Sequence, residues 1–343
     1  SYNDIFTRRA DDSLIIDKDK LLNALSDNNK LSYEISQQLF AMGFRIKKNY
    51  ISFGVNYKMT TNFNYTKDFM TFLLKGNEPF IGKTANLGDS KFGLNSYSEL
   101  SFGYSREFGK KLSFGARFKY LIGIANVYTE KSVIQLYTDP NTYEITATSD
   151  FLVHTSTPFD SLKNFDNQAK KIKWEDLSKN NGFAVDFGAE YRLNKRWHFG
   201  ISLIDLGSIN WKMNTKDYIS KNPNAQFTFS GFDINEVFKN GELKDSIFEK
   251  MLDSIKETMG ITDVEGKSYK SPLKTKLYLS ASYNLTPRDR FGFLLLHEFV
   301  NNDVNRMFSI SYNRNIGRFF AITLSNTMVS GQLFNPGGGI SFA

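Results

Sequence analysis

The chain of 343 residues is 41% hydrophobic and 15% aromatic, with 32 Phe and 17 Tyr but only 7 Pro. Cysteine is absent, which excludes disulfide frameworks, thiolate metal sites and cysteine nucleophiles and suits an oxidising compartment. The net charge of +7 comes from lysines spread along loops and strand ends. With no basic cluster among aromatics, this excludes the known nucleic-acid motifs and reads as a solvated surface or as attraction to anionic head groups.

No apolar run reaches the roughly 18 residues of a transmembrane helix. That test is blind to a β-barrel, whose apolar residues occupy alternate positions, so a mean hydropathy of −0.38 is compatible with life in lipid. The opening SYNDIFTRRADDS is polar and is not a basic-then-apolar leader. The expectation is that a leader was cleaved or lies upstream.

In chain order, a weak two-residue alternation over 31–46 is followed, after the tight turn Lys47-Lys48-Asn49, by a strong one over 49–62. There Ile51, Phe53, Val55 and Tyr57 share one face, and Ser52, Gly54, Asn56 and Lys58 the other. Period two with one apolar and one polar face is a half-buried strand. A connector at 63–92 leads to 93–107, turned at Gly109-Lys110 into 111–124. This stretch sets Leu112, Phe114, Ala116, Phe118, Tyr120 and Ile122 against Ser113, Gly115, Arg117 and Lys119. After the long connector 125–181 comes 182–193, with Phe183, Val185, Phe187, Ala189 and Tyr191 opposite Ala184, Asp186, Gly188, Glu190 and Arg192. It turns at Asn194-Lys195 into 196–209. Beyond the third long connector, 210–272, lie 273–285, 290–300, 304–314, 318–328 and 332–343, joined by short turns.

Each stretch suffices for a tilted strand that crosses a bilayer in about 9–11 residues. Short turns at one end and long loops at the other are the asymmetry of an outer-membrane barrel, with the short turns periplasmic. Alternating the directions makes 125–181 external. The hairpin-like 126–156, with Asp139-Pro140-Asn141 at its tip, is then an extension beyond the membrane. Eleven crossings result. Single-chain bacterial barrels have even numbers of strands, and an open edge in lipid costs several kcal/mol per unpaired group. The expectation is one barrel over 1–343, incomplete, with at least one strand preceding residue 1.

Short helices are expected in the external loops: Asp68–Lys75, Glu242–Met259 and, more weakly, Ile172–Lys179. Gly337-Gly338-Gly339 within the last stretch suggests a bend or bulge.

The blocks NSYSELSFGYSREFGKKLSFGARFKYLIGIANV (95–127) and NGFAVDFGAEYRLNKRWHFGISLIDLGSINW (181–211) resemble an outer-membrane barrel family of Bacteroidota known only as a domain of unknown function. The ending SLIDLGSINW is also similar to the hydrophobic-compound transporter superfamily of the long-chain fatty acid transporter and to the type IX secretion barrel PorV. The resemblance implies an all-β, transmembrane, antiparallel up-and-down barrel of about fourteen strands, a signal peptide and an N-terminal segment able to plug the lumen.

The polar faces place Arg117, Lys119, Asp186, Glu190, Arg192 and His198 toward the lumen. Mixed charges at alternate positions form either a salt-bridge filling or a constriction that selects solutes. Phe69, Phe72, Leu73 and Leu74 of the first loop helix read as a hydrophobic capture site, a docking surface for a partner protein or a cap. His297, on the apolar face, is the one residue placed like the histidine of a surface acyl hydrolase. The bland reading of an interfacial ring is favoured, and no enzyme, catalytic residue, cofactor or metal is expected. Two functions fit. One is passive transport of hydrophobic or amphipathic compounds across the outer membrane. The other is a non-transporting accessory subunit of a secretion or assembly complex. The expected partners are outer-membrane lipid and lipopolysaccharide, a hydrophobic small molecule, and other outer-membrane proteins.

Overall fold

The computed structural model describes residues 6–8, 14–158, 179–222, 226–229, 238–239, 242–243, 257, 260–300, 303–317, 319–329 and 333–342. A two-stranded ribbon, β1 (Phe6–Arg8) and β2 (Leu14–Ile16), leads to α1 (Lys18–Ala24). The Asp17 side chain caps α1 by accepting from the N–H groups of Asp19 and Lys20, which satisfies donors that the first helical turn leaves free. Then follow β3 (Asn28–Ile46), β4 (Asn49–Thr66), α2 (Lys67–Lys75), β5 (Thr84–Asn86), β6 (Lys91–Phe108), β7 (Leu112–Thr138) and β8 (Ile145–Ser156). β9 (Asn181–Arg192), β10 (Trp197–Trp211), β11 (Thr215–Ser220), β12 (Gln226–Phe229), β13 (Phe238–Lys239) and β14 (Glu242–Leu243) come next. The chain continues through β15 (Ile261–Glu265), β16 (Tyr269–Pro272), β17 (Thr275–Asn284), β18 (Asp289–Val300), β19 (Asp303–Ile316), β20 (Phe320–Val329) and β21 (Pro336–Phe342).

Seventeen of these strands, all but β1, β2, β13 and β14, belong to one antiparallel sheet. The resemblance implies about fourteen. Eleven long strands run in the order β3-β4-β6-β7-β9-β10-β17-β18-β19-β20-β21, and they coincide with the eleven alternating stretches. The other six, β5, β8, β11, β12, β15 and β16, extend the sheet at the end that carries the long connectors. β7, with 27 residues, pairs first with β9 and then, from Asn126 onward, with β8. The 126–156 hairpin is thus a continuation of the sheet. At its tip Asp139 accepts from the N–H groups of Asn141 and Thr142 at 2.8 and 2.9 Å, an Asx-type turn.

Neighbouring strands lie about 4.8 Å apart. β4 and β10 are four strands apart, hence roughly 19 Å along the sheet, yet Lys58 Nζ reaches Asp205 Oδ1 at 3.2 Å. Glu34 on β3 and Lys276 on β17, six strands apart, meet at 2.9 Å. The sheet therefore curls on itself, and its polar face becomes an interior. Near the short turns, glycine and serine oppose each other on that face: Ser52 and Gly103, Ser105 and Gly115, Ser202 and Gly188, Gly200 and Ser280, Gly292 and Ser311, Ser325 and Gly337. Small residues keep this half wide. The outer face is apolar and exposed on all eleven long strands, for example at Phe44, Phe53, Phe102, Phe114, Phe187, Phe199, Leu279, Phe293, Ile310, Leu324 and Ile340.

Three further expectations are met only in part by the described residues. Of the proposed helix Glu242–Met259, Glu242–Leu243 form β14, paired with β13; the rest lies outside the described residues apart from Glu257. The helix over Ile172–Lys179 also lies outside them except for Lys179. Gly337–Gly339 form no bulge, because β21 stays in uninterrupted register with β20 from Phe342 to Pro336.

Candidate functional site

Halfway along the interior a group of charges is withdrawn from solvent. Lys119 on β7 is 2% exposed, and its Nζ lies 2.6 Å from Asp205 Oδ1, 2.7 Å from Asp186 Oδ1 and 3.6 Å from Glu99 Oε2. Lys58 on β4 lies 3.0 Å from Glu99 Oε2 and 3.2 Å from Asp205. Arg117 approaches Asp186 at 3.8 Å, and Asn56 Nδ2 donates to Glu99 Oε1 at 3.0 Å. Three cations thus face three carboxylates. A buried charge is tolerable when it is paired and hydrogen-bonded, and this set balances to neutrality.

Asp205 enters the network through a backbone irregularity. The β9–β10 register shifts between Leu203 and Leu206, so that Ile204 and Asp205 together oppose Asp186. Asp205 has φ of 58°, in the left-handed region that aspartate enters more readily than most residues. Strict alternation would turn Leu203 and Asp205 outward and Leu206 inward. The bulge brings Asp205 inward and leaves Leu206 outward, 47% exposed. Its cost is offset by hydrogen bonds: the Asp205 N–H donates to Asp186 Oδ1 at 2.8 Å, and Thr275 Oγ1 donates to the Asp205 carbonyl at 3.1 Å.

Next to the charges, on the long-connector side, lies an apolar layer of Tyr97, Leu121, Ala184, Ile209, Trp211 and Leu273. Trp211 is fully buried, and its indole N–H donates to Ser271 Oγ at 2.8 Å. Gly123 makes room for it, since a Cβ there would stand 2.6 Å from the indole ring.

Cavities lie on both sides. Three neighbouring ones of about 630, 340 and 310 Å³ occupy the glycine- and serine-lined half, the nearest bounded by Arg117, Asp186 and Ile204. A separate one of about 150 Å³ lies toward the long connectors, bounded by Lys58, Tyr97 and Asp205. Glu99 and Lys119 border none of these cavities, and the network and the tryptophan layer stand between the two halves.

Of the residues singled out from sequence, Arg117, Lys119 and Asp186 meet in this network. Glu190, Arg192 and His198 lie apart from it near the short turns: Arg192 Nε donates to Glu190 Oε1 at 3.2 Å, and His198 borders the cavity of about 630 Å³. Lys58 was recognisable on a polar face but stood alone there. Glu99 and Asp205 were missed, and the break of alternation at Leu203-Ile204-Asp205-Leu206 was the signal that could have exposed Asp205. The helix α2 forms as expected. Phe69 and Phe72, like Ile134 and Leu136, pack against the cluster of Phe80, Ala85 and Leu87, while Leu73 is 67% exposed and the Leu74 carbonyl accepts from Lys18 Nζ. Two of the four apolar residues are therefore packed onto the extended sheet. His297 pairs across its ladders with Leu277 and Arg306, so no serine stands opposite it.

A second polar cluster fastens the extension. His154 on β8 stands between Asp217 Oδ1, 2.7 Å from Nδ1, and Glu130 Oε2, 2.8 Å from Nε2, with Tyr128 stacked beside it. Burial disfavours the imidazolium, but the hydrogen bonds and charges of Glu130 and Asp217 outweigh it and hold the His154 pKa above its ordinary value.

A family model described as "Family of unknown function (DUF5723)" matches residues 1–343. No curated protein matches. Among solved structures, a mutant of the ferric enterobactin receptor PfeA from Pseudomonas aeruginosa is similar at 10% identity over 88% of this chain, with a TM-score of 0.22, and this chain spans 44% of that receptor.

Proposed function

From the premise that the chain belongs to the DUF5723 family of unknown function, we propose that it is an outer-membrane β-barrel with a sealed interior, acting as an anchored, non-transporting subunit of an outer-membrane assembly. The apolar outer face of all eleven long strands suits contact with lipid, because a soluble monomer rarely exposes a contiguous apolar patch beyond a few hundred Å². The observation that carries the reading is the neutral ion network around Lys119, backed by Trp211, which separates the cavities of the two halves. A pore that passes solutes needs a continuous polar path. The bulk on the long-connector side, where six further strands extend the sheet, offers a surface for partner proteins.

The experiment is reconstitution into planar bilayers together with mild-detergent purification from outer membranes. The sealed reading expects no stable conductance and stable co-purifying partners. Steady single-channel openings from the unmodified protein would refute it. The transport reading keeps one supporting observation, the cavity of about 150 Å³ on the long-connector side, which could receive a ligand from outside.

A further inference from the structure

The charges around the cavity of about 150 Å³ on the long-connector side balance one another. Glu34 accepts from Lys276 Nζ through both oxygens, at 2.9 and 3.0 Å, and the buried Glu298 lies 3.8 Å from the same ammonium. Lys274 stands in the field of these two carboxylates, so two cations meet two anions. Lys58 and Asp205 belong to the neutral network. A charged ligand would bring an uncompensated charge into this confined space, at a cost that a neutral ligand does not incur.

The wall formed by β4 and β6 carries hydrogen-bonding groups that the fold does not use. Period two puts Lys58, Thr60 and Asn62 on the inner face of β4, and the ladder sets Tyr97, Asn95 and Gly93 opposite them in turn. Among the described residues, the Thr60 hydroxyl and the Asn95 carboxamide have no hydrogen-bond partner, and Asn62 uses only its Oδ1, which accepts from Ser32. Asn126 is committed at both ends: its Nδ2 donates to the Leu94 carbonyl and its Oδ1 accepts from Tyr269. Gly93 leaves space beside Asn62, since a Cβ there would meet only the Val127 carbonyl, at 3.9 Å. Val127, Tyr128, Pro272 and Leu273 add apolar and aromatic surface.

We infer that this cavity binds one neutral sugar ring, as a free monosaccharide or as the end residue of a glycan. Sugar hydroxyls both donate and accept, which matches a hydroxyl and two carboxamides on one wall. The C–H faces of the ring suit the apolar surface, and a few placed polar groups in a mostly apolar lining are the common form of a small-molecule site. The volume is about ten times what one water needs, room for a single ring. The inference does not rest on the sealed interior, since a ligand held on one side of the network need not pass it.

The test is calorimetric titration of the purified full chain in an amine-oxide detergent, which has no sugar head group to compete. The neutral probes are glucose, galactose, mannose and their methyl glycosides; gluconate and glucosamine are the charged counterparts. Saturable binding of at least one neutral probe is expected, with the charged counterparts weaker by about tenfold or more. Binding of a free sugar assigns a monosaccharide, and binding of the methyl glycosides alone assigns the end residue of a glycan. N62A should weaken the binding about two- to tenfold, the contribution of one neutral hydrogen bond. G93L should abolish it while melting like the wild type, because the added side chain meets no close neighbour at its Cβ and fills the cavity. Should either variant misfold, the wild-type preference for neutral over charged probes decides. No saturable binding of any neutral probe at millimolar concentration, charged probes that bind as well as neutral ones, or an affinity indifferent to both N62A and G93L overturns the inference.

Discussion

Replacing Lys119 by methionine removes the cation that joins three strands' carboxylates, Glu99, Asp186 and Asp205. Methionine keeps most of the aliphatic volume, so the loss is one of charge. The three carboxylates then face only Lys58 and Arg117, and one negative charge stays buried without a partner. Breaking a buried ion pair from one side costs about 3–5 kcal/mol. An unfolding entropy of about 2.1 cal/mol/K per residue over a chain of this length gives roughly 0.7 kcal/mol per degree, so the melting temperature should fall by about 4–7 °C. The assay is thermal unfolding in detergent, read by circular dichroism, with bilayer conductance as a second readout because the same variant loosens the seal. The double variant K119M/D205N is the internal control. It leaves Lys58 with Glu99 and Arg117 with Asp186, restores neutrality, and keeps at position 205 a residue that tolerates the left-handed backbone. It should recover at least half of the loss, a coupling that a double-mutant cycle isolates. If K119M melts like the wild type, or if D205N worsens it additively, the buried network is not what holds this layer together.

Further outcomes follow from the same structure. Gly123→Val drives a side chain into the Trp211 ring and should destabilise by about 1–3 kcal/mol; relief on adding Trp211→Phe, seen in thermal melts, would place the clash. On the membrane-spanning reading, Phe102→Lys puts a charge on the outer face at a cost of about 2–4 kcal/mol near the bilayer midplane; folding yield into lipid vesicles should drop, while Phe102→Leu folds normally. His154 has a raised pKa in the folded chain. Its clasp therefore contributes fully below pH of about 6.5 and is lost as pH rises through the raised value. Hydrogen exchange over 145–156 should accelerate across that window beyond the intrinsic pH effect, and H154Q should abolish the step.

The eleven long strands, their two faces, the short turns and α2 were all legible in the sequence. Each is a local property: a period of two states which side chains share a face, whatever that face meets, and Lys47, Gly109 and Gly317, with φ of 55°, 66° and 70°, close turns within a few residues. Arg117, Lys119 and Asp186 could be placed on polar faces for the same reason. Their partners could not. Lys58 meets Asp205 across 147 positions of sequence, and Lys276 meets Glu34 across 242, distances bridged only when a curled sheet brings non-neighbouring strands together. Alternation even misassigns Asp205, because a single bulge reverses the faces of everything after it and turns Ile209 and Trp211 inward. Sequence alone determined that there is a polar face. Curvature and one register shift decided that this face curls around a neutral cluster of charges, with a wide half on one side and a lysine-lined cavity on the other.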